Sequence, residues 1–187
     1  TISGLGNYSG SIAKTFVITQ KGITASDFTI DTAAKVYANG EIKPSVSSQL
    51  NASTDYDVVY SNNINVGTAT IKITGKGNFK GEVSKNFAII QKALSDAEFT
   101  VSGLAAEYPY TGESVAPVVT VEWGNILLAS GTDYSVAYAN NTNAGTATIT
   151  ISGLGNYSGS IVKTFAITQK EIAAGDFTID NADKVYT

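Results

Sequence analysis

The sequence predicts an all-β chain of small antiparallel β-sandwich modules that follow one another as a rod. Three observations support this fold class: a long segment occurs twice, apolar and polar residues alternate with period two, and turn-forming residues separate the alternating runs. No 11-residue stretch shows the apolar spacing of a helix. Small β-grasp-like modules are the alternative fold class.

The repeats define the predicted domain organisation. Residues 1–21 return at 150–170 with two substitutions, and residues 54–92 match 132–170 without a gap. The predicted parts are the C-terminal part of a preceding repeat (1–21), a complete β module (22–92), a complete β module with an extra hairpin (93–170) and the N-terminal part of a following repeat (171–187).

The first strands of a module are the less regular ones. The sequence "DFTI" (27–30) predicts a first strand. A second strand is predicted within "VYANGEIKPSVS" (36–47), or within "YTGESVAPVVTVEW" (110–123) in the second module. Because proline has no N–H for a sheet ladder, Pro44 and Pro117 predict edge positions or strand starts.

The later strands show clear alternation. In "GTATITI" (145–151) the apolar residues share one face and the threonines the other, and "TDYSVAY" (132–138) alternates in the same way. The segment "NNTNAG" (140–145), whose Asn and Gly residues tolerate positive φ, predicts the hairpin loop between them. A second turn, "GLGNYSG" (153–159), leads into the last strand, "SIVKTFAIT" (160–168).

The two modules differ by five residues between the proline and the TDY sequence. In the second module the longer segment predicts a hairpin about Trp123, Gly124 and Asn125. Such an insertion is a change of loop on a common scaffold.

Composition excludes several functional classes. The net charge is −4 with 15% charged residues, and no basic patch for a nucleic-acid backbone is present. The chain contains no Cys, His or Met, which removes thiolate and imidazole chemistry and the usual zinc ligands. No apolar run reaches the length of about 18 residues that a membrane helix needs. We expect no nucleic-acid partner, no membrane insertion by this segment, no cofactor and no metal.

The sequence of residues 131–159, G-T-D-Y-x-V-x-Y-x-N-N-x-N-A-G-T-A-T-x-x-I-x-G-x-G-N-Y-x-G, resembles tandem all-β repeats of very large bacterial cell-surface and secreted proteins, which are classed with bacterial Ig-like modules. The resemblance covers nearly the whole chain. It implies an extracellular location and a stalk or spacer function, in which the repeats of a surface adhesin or exported fibre project a functional domain from the cell. It provides no catalytic residues.

Two other functional classes are alternatives to the stalk. The modules of an adhesin can themselves bind a carbohydrate or a host protein. We expect no enzymatic activity, because no recurring site pairs a nucleophile with a base.

Lys14, Lys85 and Lys163 recur at one position of the last strand, with the parity of its apolar residues. One hypothesis is an intramolecular isopeptide bond to Asn or Asp. The alternative is a lysine at the rim of the core that reaches water or pairs with Asp55 or Asp133. We expect the second, with an intact mass equal to the sequence mass.

Four aromatic residues are candidate ligand contacts: Trp123, Tyr8, Phe79 and Tyr157. Exposed rings could stack on sugars, whereas an aromatic residue that pins a turn to the core is the more common use. Four aspartates are weighed as calcium ligands and interpreted as turn and strand-end residues: Asp27, Asp31, Asp55 and Asp57.

The two ends predict further partners. Residues 1–21 and 171–187 are complementary parts of one module type, with uncovered apolar residues and unpaired backbone groups. We expect contacts with neighbouring repeats of the same chain and end-to-end self-association through these two segments.

Overall fold

The computed structural model describes residues 1–176 and is all-β with a sandwich-type arrangement of several small, mainly antiparallel sheets. It divides into two compact units, Thr1–Ile90 and a second that begins at Gln91. Within the described residues the helical elements are two 3-10 turns, Ala25–Asp27 and Ala174–Asp176. A β-grasp module needs a helix packed on its sheet, so the sandwich is the fold class that the structure supports.

The first unit contains ten strands. They are β1 (Ile2–Ser3), β2 (Ser11–Ile12), β3 (Lys21–Gly22), β4 (Phe28–Ile30), β5 (Lys35–Val36), β6 (Val46–Ser48), β7 (Tyr56–Ser61), β8 (Gly67–Gly75), β9 (Phe79–Lys80) and β10 (Glu82–Ile90). The main sheet has the order β5-β10-β8-β7, in which β5 and β10 run parallel and the other pairs antiparallel. Three two-stranded sheets accompany it: β1-β2, β3-β9 and β4-β6.

The second unit repeats this plan. Its described strands are β11 (Lys92–Ala93), β12 (Phe99–Ser102), β13 (Glu107–Pro109), β14 (Thr120–Trp123), β15 (Ile126–Leu127), β16 (Tyr134–Ala139), β17 (Gly145–Gly153), β18 (Tyr157–Ser158) and β19 (Ser160–Thr168). The main sheet has the order β13-β19-β17-β16, with β13 parallel to β19. The sheet β12-β14-β15 replaces the β4-β6 pair, and β11 runs parallel to β18 as β3 does to β9.

Period-two alternation places the core on one face of the main sheet. The fully buried residues of β8 and β17 are Ala69, Ile71, Ile73, Ala147, Ile149 and Ile151. The residues between them face the other side and are exposed or half-buried: Thr70, Lys72, Thr148 and Thr150. The alternation predicted for 145–151 is therefore confirmed, because successive side chains of a strand point to opposite faces.

Both turns predicted at the two ends of β17 are present. The segment 140–145 connects β16 to β17, with positive φ at Asn140 (55°) and Gly145 (141°). The turn 153–159 brings Ser158 so close to Gly153 that an added Cβ would lie 2.7 Å from the Ser158 backbone N. Only glycine fits at that point of the turn.

The predicted hairpin of the second unit is confirmed. Strands β14 and β15 pair Trp123 with Ile126, and Gly124 and Asn125 form the loop. Gly124 has a φ of 58°, a conformation that glycine adopts without steric cost.

The single second strand predicted within 36–47 is wrong, whereas the second module has β14 within its predicted segment, 110–123. In the first unit, segment 36–47 overlaps two short strands in different sheets, β5 beside β10 and β6 beside β4. Pro44 and Pro117 lie outside any strand rather than at strand starts. Each is in the crossing segment of its unit, 37–45 or 110–119, which leads from one sheet to the other. A segment that crosses from one sheet to the other cannot keep one ladder, and proline suits the crossing because it lacks the N–H.

Candidate functional site

The hairpin β14–β15 carries the largest aromatic side chain of the chain into a cluster. Trp123 is half-buried and stacks on Phe99, with ring centroids 6.0 Å apart and an interplanar angle of 24°. Tyr157 meets Trp123 edge-on at 6.4 Å. The Nζ of Lys92 lies 5.2 Å from the Trp123 ring centroid, which is within cation–π range.

The four candidate ligand contacts therefore lie in different environments. Tyr157 is buried and Phe79 half-buried, and both follow the Gly-Asn turn that they attach to the core. Trp123 contacts Phe99, Tyr157 and Lys92, so its ring is not a fully exposed surface on which a sugar could stack. Among the four, Tyr8 alone is largely exposed. The positions of Phe79 and Tyr157 match the alternative in which the aromatic residue pins a turn.

The first unit has no aromatic residue at the position of Trp123. Ser48 pairs with Phe28 in the ladder where Trp123 pairs with Phe99. The Ser48 hydroxyl donates to the carbonyl oxygen of Asp27 at 2.6 Å and holds the strand end without an added hairpin. The tryptophan thus belongs to the inserted hairpin and not to the shared scaffold.

The recurring lysines do not share one environment. The Nζ of Lys163 lies 2.7 Å from Oδ1 of Asp96, and the two side chains are 38% and 59% exposed. Lys85 is exposed on β10, and Lys14 is exposed outside any strand. The Lys163 contact is a surface salt bridge, a class of interaction that contributes little to stability.

The prediction that the recurring lysine pairs with Asp55 or Asp133 is wrong. Asp133 accepts a hydrogen bond from the backbone N–H of Ala129 at 2.8 Å, and Asp55 accepts one from Asn51 at 2.9 Å. Each carboxylate therefore closes its own turn. Asp96, which pairs with Lys163, follows the short strand β11, and the alternation of β19 gives no indication of it.

The aspartates weighed as calcium ligands also have local roles. Asp27 accepts hydrogen bonds from the backbone N–H of Thr24 at 2.7 Å and from its hydroxyl at 2.9 Å, and the backbone contact is the main reason that its pKa is lowered. Lys35, 2.6 Å from Asp31, lowers the pKa of that carboxyl. Among residues 1–176 no group of three acidic or other metal-ligating side chains gathers into a possible metal site.

A pair of asparagines with a structural role was missed by sequence reasoning. The side-chain Nδ2 of Asn63 donates to the backbone carbonyl of Ile42 at 3.1 Å. The backbone carbonyl of Asn63 accepts the Ile42 N–H at 2.8 Å. Asn141 and Val115 make the same two contacts at 2.9 and 2.7 Å. The second asparagine of each Asn-Asn pair therefore holds the crossing segment by hydrogen bonds. The occurrence of Asn-Asn in both modules is the sequence feature that could have indicated this role.

The start of the second unit makes a set of hydrogen bonds that also occurs in the first unit, which we call the junction clasp. It consists of Gln91 and Lys92 bound to the turn 155–157. The Nε2 of Gln91 donates to the carbonyls of Gly155 at 3.0 Å and Tyr157 at 3.1 Å. The backbone N–H of Lys92 donates to the carbonyl of Asn156 at 3.0 Å. The Lys92 side chain also pairs with Glu98.

The same clasp occurs at the start of the first unit's module. Gln20 donates from Nε2 to the carbonyl of Gly77 at 3.0 Å, and the N–H of Lys21 donates to the carbonyl of Asn78 at 2.9 Å. The Gln-Lys pair thus binds the turn of the module that follows it, although the predicted boundaries assign it to the module before. The recurrence of Gln-Lys after each last strand was the signal for this contact.

The junction between the units is short in sequence. Strand β10 ends at Ile90 and β11 begins at Lys92, so Gln91 alone separates them. The carbonyl of Ile90 accepts the N–H of Tyr37 at 2.9 Å within the first unit. The residues on both sides of Gln91 are therefore held by backbone hydrogen bonds, each within its own unit.

Comparison with known proteins found no match to a family model, to a curated protein or to a solved structure. In the described part of the chain, no helix has the length and apolar character needed to cross a membrane.

Proposed function

We propose that this chain is a set of stalk or spacer repeats of a bacterial surface adhesin or exported fibre, located outside the cell. The observation that carries the proposal is the junction clasp. A spacer must transmit length from module to module, and length is lost where joints bend freely. A joint of one residue whose side chain is itself hydrogen-bonded suits that requirement.

The composition of a linker determines how freely two modules can reorient. A Gly/Ser linker behaves as a flexible coil, so the modules that it joins sample many orientations. Here Ile90 and Lys92 are each fixed by a backbone hydrogen bond, and the Gln91 side chain makes two more. Few backbone torsions are left free, which supports a joint of restricted motion.

Distance measurements between two spin labels test this proposal. The chain contains no cysteine, so Val59→Cys and Val118→Cys introduce unique labels at exposed positions, one in each unit. Pulsed electron–electron double resonance should give one narrow distance distribution. Inserting Gly-Ser-Gly-Ser between Ile90 and Gln91 should broaden it several-fold.

The side-chain contribution can be separated with matched variants. Gln91→Ala removes the two side-chain hydrogen bonds of the clasp and should broaden the distribution. Gln49→Ala, at an exposed position of the first unit, should leave it unchanged. A parent protein whose distribution is already as broad as that of the linker insertion would contradict a stiff junction.

Partners of the stalk belong to the same proposal. Neighbouring repeats of the chain are the expected contacts. Glycan binding by Trp123 is disfavoured, since its ring contacts Phe99, Tyr157 and Lys92. End-to-end self-association through 1–21 and 171–187 stays a prediction, and residues 177–187 lie outside the described part of the chain.

A further inference from the structure

Residues 1–19 present an apolar face to solvent. We call it the N-terminal face and define it by the side chains of Ile2, Tyr8, Ile12, Phe16 and Ile18. These side chains are between 62% and 84% exposed. Ile2, Tyr8 and Ile12 line one surface hollow. Large apolar side chains gathered at this exposure mark an interaction surface.

The same side chains are buried where the sequence recurs. Their counterparts in the second unit are Ile151, Tyr157, Ile161, Phe165 and Ile167, which are between 0% and 3% exposed. Because the two sequences are nearly identical, the difference in exposure comes from what packs against them.

The N-terminal segment already has part of its module conformation. Strands β1 and β2 pair Ile2 with Ile12, as β17 and β19 pair Ile151 with Ile161. In both copies the N–H of the first glycine of the turn donates to the carbonyl of the last at 2.9 Å. The hairpin is therefore formed in the register that a complete module uses.

The segment lacks a backbone partner for its last strand. In the second unit, residues 163–167 of β19 pair with residues 145–149 of β17. Among the described residues, no strand pairs with the counterparts, 14–18. Their N–H and C=O groups are available for a ladder with an added strand.

The second unit shows which side chains cover such a face. Tyr108 meets Phe165 edge-on with ring centroids 5.3 Å apart, and Phe99 meets Tyr157 edge-on at 6.0 Å. The residues packed on the cluster of Ala147, Phe165 and Ile167 are Leu104, Tyr108, Val115 and Tyr138. Every covering residue lies within 93–149.

We propose that the N-terminal face is a docking surface for a polypeptide segment with the sequence pattern of residues 93–149, which completes a β-sandwich module around it. Such a segment supplies a strand for residues 14–18 and the apolar side chains that correspond to Leu104, Tyr108, Val115 and Tyr138. The inference does not depend on the stalk function, because it rests on the comparison of the two copies.

The 171–187 segment of a second copy is the weaker occupant. Its sequence corresponds to the first part of a module, 22–38, and contains no counterpart of Val115, of Tyr138 or of the strand 145–149. It would leave residues 14–18 without a ladder. The longer segment satisfies both the side chains and the backbone.

A complementation experiment tests the proposal. A separate polypeptide of residues 91–149 is refolded together with the full chain, and the mixture is analysed by native mass spectrometry and hydrogen exchange. We expect a one-to-one complex in which the amides of residues 2–18 exchange at least about tenfold more slowly than in the chain alone.

Two adjacent residues provide the matched control. Phe16 and Val17 are equally exposed, at 84% and 85%, but Phe16 corresponds to buried Phe165 and Val17 to exposed Ala166. Phe16→Asp should weaken the complex at least about tenfold, because a carboxylate would be buried without a partner. Val17→Asp should leave it unchanged. An equal loss of binding in both variants would contradict the assignment of Phe16 to the binding face.

A fused chain covers the case in which the free polypeptide is poorly soluble. Residues 91–149 are placed directly before Thr1, which raises the effective concentration of the segment without a new contact. Protection of residues 2–18 in either format supports the proposal. Unprotected amides in both formats would overturn it, as would concentration-dependent protection of the face in the full chain alone, which would assign the face to self-association. If the complex forms unchanged with Phe16→Asp, the added polypeptide has replaced residues 91–149 of the second unit instead of binding the N-terminal face. That result would also overturn the proposal.

Discussion

At the scale of single residues, two tyrosine hydroxyls make the same contact in the two units. Tyr60 donates to the carbonyl of Pro44 at 2.7 Å, and Tyr138 donates to the carbonyl of Pro117. Each proline lies in the segment that crosses between the sheets. The hydroxyl therefore ties the crossing segment to the edge strand of the main sheet.

We predict that Tyr138→Phe lowers the free energy of unfolding of the second unit by about 1 kcal/mol, the usual net contribution of one hydrogen bond. Trp123 is the single tryptophan of the chain, so its fluorescence during denaturant unfolding reports on the second unit. Tyr110→Phe, at a more exposed tyrosine, should change the midpoint little. A Tyr138→Phe midpoint equal to that of the parent would show that the contact contributes nothing.

The same tyrosine predicts a pH dependence. Burial is the main cause that raises the pKa of Tyr138, with Tyr108 and Tyr134 adding to it. The folded state thus holds the phenol proton more tightly than the unfolded chain, whose tyrosine pKa is about 10. The stabilisation is complete below that pH and is lost as the pH rises through the folded pKa. Unfolding midpoints between about pH 8 and pH 11 should fall less for Tyr138→Phe than for the parent.

At the scale of an element, the β14–β15 hairpin is the main difference between the modules. It places Trp123 against Phe99 and Tyr157, where the first unit has Ser48 against Phe28. The hairpin therefore enlarges the core of the second unit. Its outer residue, Leu127, is exposed.

We predict that Trp123→Ser destabilises the second unit by about 2 to 3 kcal/mol, below the usual loss for a fully buried aromatic residue because Trp123 is half-buried. Leu127→Ser, in the same hairpin, should change stability by about 0.5 kcal/mol or less. Hydrogen exchange of the β17 amides measures both. Unchanged stability in Trp123→Ser together with loss of glycan binding on an array would reverse the assignment and make Trp123 a ligand contact.

At the scale of the whole molecule, the proposed stalk predicts an elongated particle. The expectation follows from the proposal itself, because a spacer gains length only when its modules follow one another end to end. Small-angle X-ray scattering should give a pair-distance distribution with a long tail. A compact, symmetric distribution would defeat the stalk function, and the Gly-Ser-Gly-Ser insertion would then have little effect on the profile.

The sequence alone predicted the features that depend on near neighbours in the chain. Alternation in 145–151 predicted the buried face of β17, and Asn140 and Gly145 predicted the hairpin loop. The Gly124 hairpin was predicted in the same way. These features follow from backbone geometry over a few residues: a period of two in strands, and positive φ in tight turns.

Only the tertiary structure decided which distant groups meet. Lys163 pairs with Asp96 rather than Asp133, Gln91 binds the turn at Gly155, and one predicted strand divides between two sheets. The two copies of the 21-residue segment differ most of all, since side chains such as Phe165 are buried in one copy and their counterparts, such as Phe16, are exposed in the other. The physical reason is that strand pairing and burial depend on the segments that come from elsewhere in the chain, and identical residues without those segments have nothing to pack against.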